Sequence, residues 1–142
     1  MIIEARNLSK KVIFNDQEII ILDDISLNLQ AASSLAVVGP SGSGKSTLLG
    51  ILAGLDSPTS GEIFINQKPL HLLSEEERAA IRKESVAFVF QNFELLSGLN
   101  ALENVMLPLE LKNKKNAKNI AINYLEKVGM QNRLLHYPQN LS

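Results

Sequence analysis

Cysteine and tryptophan are absent from this chain of 142 residues, and aromatic side chains make up only 5% of it. Without a thiol there can be no disulfide and no thiolate metal site, although either a reducing or an oxidising compartment remains compatible. Neither sign of charge is in excess: 14 basic residues oppose 15 acidic ones, a net charge of −1. No global field therefore recruits nucleic acid or anionic lipid. Long apolar runs are also missing, since nothing approaches the roughly 18 consecutive residues of a membrane span. The opening residues Met1-Ile2-Ile3-Glu4-Ala5-Arg6 carry charge where a signal peptide needs an apolar stretch. The expectation is a cytoplasmic protein, at most peripheral to a membrane. With 45% apolar and 20% charged residues, the composition suits one ordinary globular core.

What is present is a phosphate cradle. Gly39-Pro40-Ser41-Gly42-Ser43-Gly44-Lys45-Ser46-Thr47 fits G-x-x-x-x-G-K-[ST], the Walker A pattern, between the apolar run Leu35–Val38 and a helix-like stretch from Leu48 to Ala53. Glycines let the backbone wrap an anion with its N–H groups pointing inward, and the following helix adds the partial positive charge of its N-terminus. Lys45 reaches the β- and γ-phosphates as a point charge, and the Ser46 hydroxyl is placed for Mg²⁺. At average residue usage the four fixed positions arise by chance in about one chain of this length in 200. The flanking strand and helix signals lower that further.

The rest of the chain reads as α/β. Ile2 to Leu8 and Glu18 to Leu29 predict two strands with a turn at Asn15-Asp16, an antiparallel flap ahead of the P-loop. Leu35–Val38 and Val86–Phe90 have no polar alternation, which predicts central strands buried on both faces of a parallel sheet. Leu48, Leu49 and Leu52 form one face of a helix that Gly54 ends, and Glu62 to Ile65 predicts a short strand. Ser74 with Glu77 forms a capping box opening a charged helix to Lys83, in which the Glu75-Glu76-Glu77 cluster serves the helix dipole. Asn100 caps a helix through Leu111, and Ala117 to Val128 repeats apolar residues at helical spacing before Gly129. Lys112-Asn113-Lys114-Lys115 is a solvated linker or a contact for lipid headgroups.

Hydrolysis needs a carboxylate for the metal beyond the cradle, usually at the end of an apolar Walker B strand. Ile19-Ile20-Ile21-Leu22-Asp23-Asp24 has that form but lies upstream of the P-loop, and Ile25–Leu29 continues as a half-exposed strand. The preferred reading is a strand with a kinked acidic turn. His71 and His136 have no Asp or Glu at a matching spacing and read as surface or packing residues.

The P-loop together with Ile51-Leu52-Ala53-Gly54-Leu55-Asp56, Pro58-Thr59-Ser60-Gly61, Phe88-Val89-Phe90-Gln91 and Leu99–Val105 resembles the nucleotide-binding domain of ABC transporters. The likeness covers essentially the whole chain and is greatest to the lipoprotein-releasing and macrolide-exporter branch, LolD, MacB and YbbA-like ATPases. It implies a P-loop NTPase core over residues 1–90, containing the antiparallel β flap, and a Q-loop with the start of a helical subdomain over 91–142. Tyr137 to Ser142 would lead into an L-S-G-G-Q signature, with the Walker B strand, catalytic glutamate and switch histidine beyond it. By the same resemblance Gly39, Ser41, Gly42, Ser43 and Gly44 wrap the phosphates. Lys45 acts on the β/γ-phosphates, Ser46 on Mg²⁺ and Thr47 near the α-phosphate. Gln91 matches the Q-loop glutamine, which touches Mg²⁺ and the attacking water.

Relatives offer an aromatic ring to the adenine where this chain has Val12. Alternation places Phe14 on the same face of the strand, so Phe14 either stacks on the base or packs in the core. Gln67 stands where relatives often have a turn glycine. The expected function is the ATP-binding subunit of an ABC transporter, ATP and Mg²⁺ being its cofactors. The expected partners are a second copy and a membrane permease, with no nucleic acid, and the expected location is peripheral on the inner face of the membrane. The chain alone is expected to bind ATP without turning it over. Two alternatives stand beside this: a self-contained P-loop kinase or GTPase, against which the lack of a guanine-reading N-K-x-D motif counts, and a non-catalytic nucleotide-binding module.

Overall fold

The computed structural model describes residues 2–141 and divides them into two compact units that meet between Phe88 and Val89. That division falls two residues before the boundary expected from sequence.

In the first unit, β1 (Ile3–Phe14) and β2 (Gln17–Leu29) form a hairpin, and β3 (Ser60–Ile65) and β4 (Lys68–Pro69) complete a sheet of order β2-β1-β3-β4. Every pairing is antiparallel. Asn15 and Asp16 both take positive φ, 49° and 59°, as a two-residue turn between twisted strands requires. Between Leu8↔Ile25 and Lys10↔Leu22 the register shifts, so β2 spends an extra residue at Asp23-Asp24. Asn7 Nδ2 donates to Asp24 Oδ1 at 2.7 Å, and Ser9 Oγ accepts from the Asp24 amide at 3.1 Å. Asp24 is thereby fixed as a bulge residue, the kinked acidic turn read from sequence.

Helix α1 (Lys45–Leu52) buries Leu48, Ile51 and Leu52 against Ala5, Leu8, Leu22, Ile63 and Ile65 of the sheet, joined by Leu70 and Ile81. Gly54 follows it with φ 71°, the left-handed C-terminal stop. Helix α2 (Glu75–Ser85) opens with the capping box: Glu77 N donates to Ser74 Oγ, and Ser74 N donates to Glu77 Oε2. In the second unit α3 (Ala101–Leu111) carries the equivalent Asn100/Glu103 box. It packs on α4 (Ala117–Lys127) around Leu102, Ala121 and Leu125. No helix among the described residues is long and apolar enough to cross a membrane.

Two expectations fail. Leu35–Val38 and Val86–Phe90 are not β-strands among the described residues, and the described sheet is wholly antiparallel. Leu35 is 49% exposed and Val38 86%. An unbroken apolar run signals a segment suited to burial on both faces, and that suitability does not by itself specify a strand. Phe14 likewise lies outside the core, at 64% exposure, so the core-packing alternative falls.

Helix α1 is anchored at its far end. Arg82 Nη1 donates to the Gly54 carbonyl at 2.6 Å and its Nη2 lies 2.5 Å from Glu75 Oε1, while Arg78 pairs with Glu75 Oε2 at 2.8 Å and reaches Ser57 Oγ. Lys10 donates to Asp56 Oδ1 and Ser57 O, tying the same loop to β1. A cation on the last carbonyls of a helix is stabilising. The hydrogen bond from Arg82 holds the Glu75 carboxyl below its usual range against a smaller opposing effect of burial, and the charges of Arg82 and Arg78 add to the depression. Glu77 is lowered first by the Ser74 amide. For Asp56 burial pushes upward, but Lys10, the Ser57 amide and Arg78 together bring it below its ordinary value.

A depressed carboxylate contributes stability that is present above its unfolded pKa and is lost as pH falls through the folded value. The urea midpoint is therefore expected to drop between about pH 5 and pH 3, with a shallower fall in Glu75→Gln. A second expectation concerns the β3–β4 turn, where Asn66 and Gln67 both have positive φ, 49° and 66°. Gln67→Gly removes a Cβ from the left-handed region and should raise stability by about 0.5–1 kcal/mol, after the larger unfolded-state entropy of glycine is subtracted. Chemical denaturation measures it.

Candidate phosphate-binding site

Residues 39–44 form a loop that runs into α1, whose first turn carries Lys45, Ser46 and Thr47. Gly42 and Gly44 take φ 78° and 80°, left-handed values that glycine adopts without steric cost. At Gly44 space adds a second constraint: a Cβ there would lie 2.7 Å from the Ile21 carbonyl oxygen and 3.0 Å from Leu22 Cδ2. The loop is thus pressed against β2 where it becomes helix. Ser43 N donates to Pro40 O at 3.4 Å and closes the turn.

Gly44 is also the N-cap of α1 and brings no side chain to cap it. The first intrahelical bond is Leu48 N to Gly44 O at 2.8 Å, which leaves the amides of Lys45, Ser46 and Thr47 without an intrahelical acceptor. These donors and the dipole behind them favour an anion. Lys45 folds back over the loop, its ammonium donating to Gly39 O at 3.0 Å, Pro40 O at 2.6 Å and Ser43 Oγ at 3.5 Å. Among the described residues no carboxylate pairs with it. A full positive charge resting on neutral carbonyls can be engaged by an incoming anion without first breaking an ion pair. A cavity of about 300 Å³ beside the loop is lined by Gly39, Pro40, Ser43, Gly44 and Lys45 together with apolar residues such as Leu22 and Val38.

Ser41, Gly42, Ser43 and Ser46 are exposed, Thr47 half-buried. The structure therefore places Gly39, Ser41, Gly42, Ser43 and Gly44 in the loop and Lys45, Ser46 and Thr47 in the first turn of the helix that follows it. Gln91 lies exposed in a bend of the second unit. Leu141, with which the expected L-S-G-G-Q signature begins, packs against the core of that unit, whereas Ser142, its second residue, is outside the described residues.

His71 is a packing residue: its Nδ1 is 3.2 Å from both the amide and the carbonyl of Ile63, and its ring meets Phe64 edge-on. His136 is exposed. Sequence reasoning missed Arg82 and Arg78, whose only available signal was their spacing from Glu75 at i+7 and i+3. It also missed the Asn104 side chain, which accepts from Leu96 N and donates to Leu96 O, Leu99 O and Asn100 O, fixing the segment before α3.

Known proteins with this arrangement exist. Residues 22–142 match the ABC transporter family, ABC_tran. The ABC transporter ATP-binding protein YbbA of Escherichia coli (strain K12) is 47% identical over 143 residues, covering 99% of this chain and 63% of YbbA. The lipoprotein-releasing system ATP-binding protein LolD of Wigglesworthia glossinidia brevipalpis is 38% identical over 144 residues, covering 100% of the chain and 63% of LolD. Among solved structures, the dimeric post-hydrolysis state of the ATP-binding cassette MJ0796 bound to ADP and Pi superposes with a TM-score of 0.92 at 34% identity, over 99% of this chain and 63% of that one. The chain thus spans about 63% of the length of the relatives it matches. With its Walker A loop assembled and that likeness running through nearly all its residues, the chain belongs to the ABC transporter ATP-binding family.

Proposed function

We propose that the protein is the ATP-binding subunit of an ABC transporter that couples ATP binding and hydrolysis to transport, of the lipoprotein-release or macrolide-export type, acting as a dimer on a membrane permease. The observation that carries this reading is the segment 39–47, with its uncapped helix N-terminus and a lysine whose ammonium rests only on neutral oxygens. Its donors suit the triphosphate tail: backbone amides of the loop and of the first turn of α1, then the Lys45 ammonium on the β/γ-phosphates. Ser46, exposed in that first turn, fits a hard cation as a hydroxyl ligand, and Mg²⁺ would supply charge neutralisation of the phosphates there. Gln91 is assigned to the metal and the attacking water. Phe14, exposed near the end of β1, is free to offer its ring to the base.

The family's likeness to lipoprotein-releasing subunits supports the branch, and the dimeric cassette MJ0796 supports assembly in pairs. On this reading the chain of 142 residues holds nucleotide but does not turn it over. Asp24, which ends the Walker B look-alike, is already engaged by Asn7 and Ser9 in the bulge of β2.

Calorimetric titration with Mg-ATP tests the site. Lys45→Ala should weaken binding about tenfold to a hundredfold, the loss of one charged contact. Gly44→Ala, which drives a methyl into the Ile21 carbonyl, should abolish it. Affinity unchanged in both variants would remove the assignment. A steady-state ATPase rate from the chain, abolished by Lys45→Ala, would overturn the expectation of binding without turnover.

A further inference from the structure

Charge is divided unevenly between the two units. Residues 1–88 hold eight basic and eleven acidic side chains, residues 89–142 six basic and four acidic. Within the second unit the basic residues gather at one end of the α3–α4 hairpin. Lys112, Lys114, Lys115 and Lys118 lie within seven residues, and no Asp or Glu occurs between Leu111 and Leu125. All four lysines are exposed, and among the described residues none has an ion pair or hydrogen-bonded partner for its ammonium.

The segment that carries them is an ordered turn. Lys112 N donates to Pro108 O at 3.3 Å, Asn113 N to Glu110 O at 2.8 Å and Lys114 N to Leu109 O at 2.9 Å. Asn113 and Asn116 take φ 53° and 63°, closing a tight connection between the helices. Leu111, 61% exposed, stands beside the lysines. The stems of four lysines and one leucine thus project from a backbone that is already fixed, so little backbone entropy is lost when they meet a partner.

We propose that this turn is a docking surface for the anionic headgroups of a lipid bilayer. The chemistry favours a diffuse sheet of negative charge over a single bound anion. The lysines are compact point charges on long flexible stems, with none of the fork geometry that picks out one phosphate or carboxylate. Clusters of four or more such residues sense the surface potential of an anionic leaflet, and the adjacent leucine can enter the headgroup layer. The attraction reaches only about 8–10 Å at physiological salt, so it adds to a tether already at the membrane and does not replace one. The surface does not involve the nucleotide loop, but it agrees with a protein that works against a permease.

Flotation of the full chain with vesicles tests it, using phosphatidylcholine alone and phosphatidylcholine with one third phosphatidylglycerol. Binding is expected only to the anionic vesicles at low salt, and should fall at least tenfold in 0.5 M NaCl. Lys112→Gln combined with K114Q, K115Q and K118Q should reduce it at least tenfold, whereas Lys68→Gln with K83Q, equally cationic positions on the first unit, should leave it unchanged. Helix content by circular dichroism guards against misfolding. Equal binding to neutral vesicles, equal loss in the control variant, or retention on soluble polyglutamate with none on vesicles would each overturn the proposal. Mg-ATP titration of the same sample separates the two readings: nucleotide binding without vesicle binding defeats only this inference, and the reverse defeats only the proposed function.

Discussion

The approach of Gly44 to β2 is the contact on which the phosphate site depends. At that point the backbone must turn from loop to helix where a Cβ would lie only 2.7 Å from the Ile21 carbonyl oxygen, and must do so at a φ of 80°. Steric space and backbone angle thus impose the same residue for separate reasons. The benefit of the tight fit is directional. With the chain pinned against the strand, the first turn of α1 is presented as a fixed array of donors instead of a mobile loop end.

An N-terminus kept uncapped for a ligand is a weak end of a helix, and α1 has only eight residues. Short helices draw little from propensity. Here the compensation comes from the other end and from below. Leu48, Ile51 and Leu52 are buried on the sheet, and Arg82 covers the Gly54 carbonyl while sharing Glu75 with Arg78. The site therefore extends further than its motif, since Arg82, 35 positions beyond Thr47, holds the helix that the loop feeds. Exposed ion pairs contribute little singly. Their weight here comes from being joined in one network around a helix terminus.

How much of this could be read beforehand depended on the range of the forces involved. The capping box at Ser74, the helix cap at Asn100, the glycine stop at Gly54, the turn at Asn15-Asp16 and the bulge at Asp23-Asp24 are decided within a few residues and were legible. The Walker A loop was legible because its chemistry demands fixed residue types at fixed spacing. Leu35–Val38 and Val86–Phe90 were misread for the opposite reason: their composition reports a tolerance for burial, while strand formation depends on a ladder partner that no local pattern specifies. Arg82 was invisible because its partner, Gly54 O, is a backbone atom supplied by tertiary structure. Phe14 was ambiguous because alternation gives a face, and only the packed sheet says whether that face is covered.

The second unit solves the problem of helix ends differently. Helix α3 has a full capping box at its start, and the Asn104 side chain binds the segment before it through four hydrogen bonds. Helix α4 begins at a left-handed Asn116 with no side-chain cap, with no acid in its first turn and with Lys118 where the dipole would favour a carboxylate. Its stability therefore comes from Ala117, Ala121 and Leu125 packing on α3, not from its terminus. The two uncapped helix starts differ in consequence. At α1 glycines clear the space in front of the amides, so the positive end can be used at close range. At α4 the helix start carries no such run of glycines, and the positive charge is carried outward on exposed lysine stems. One arrangement selects a compact polyanion, and the other acts only on charge spread over a surface.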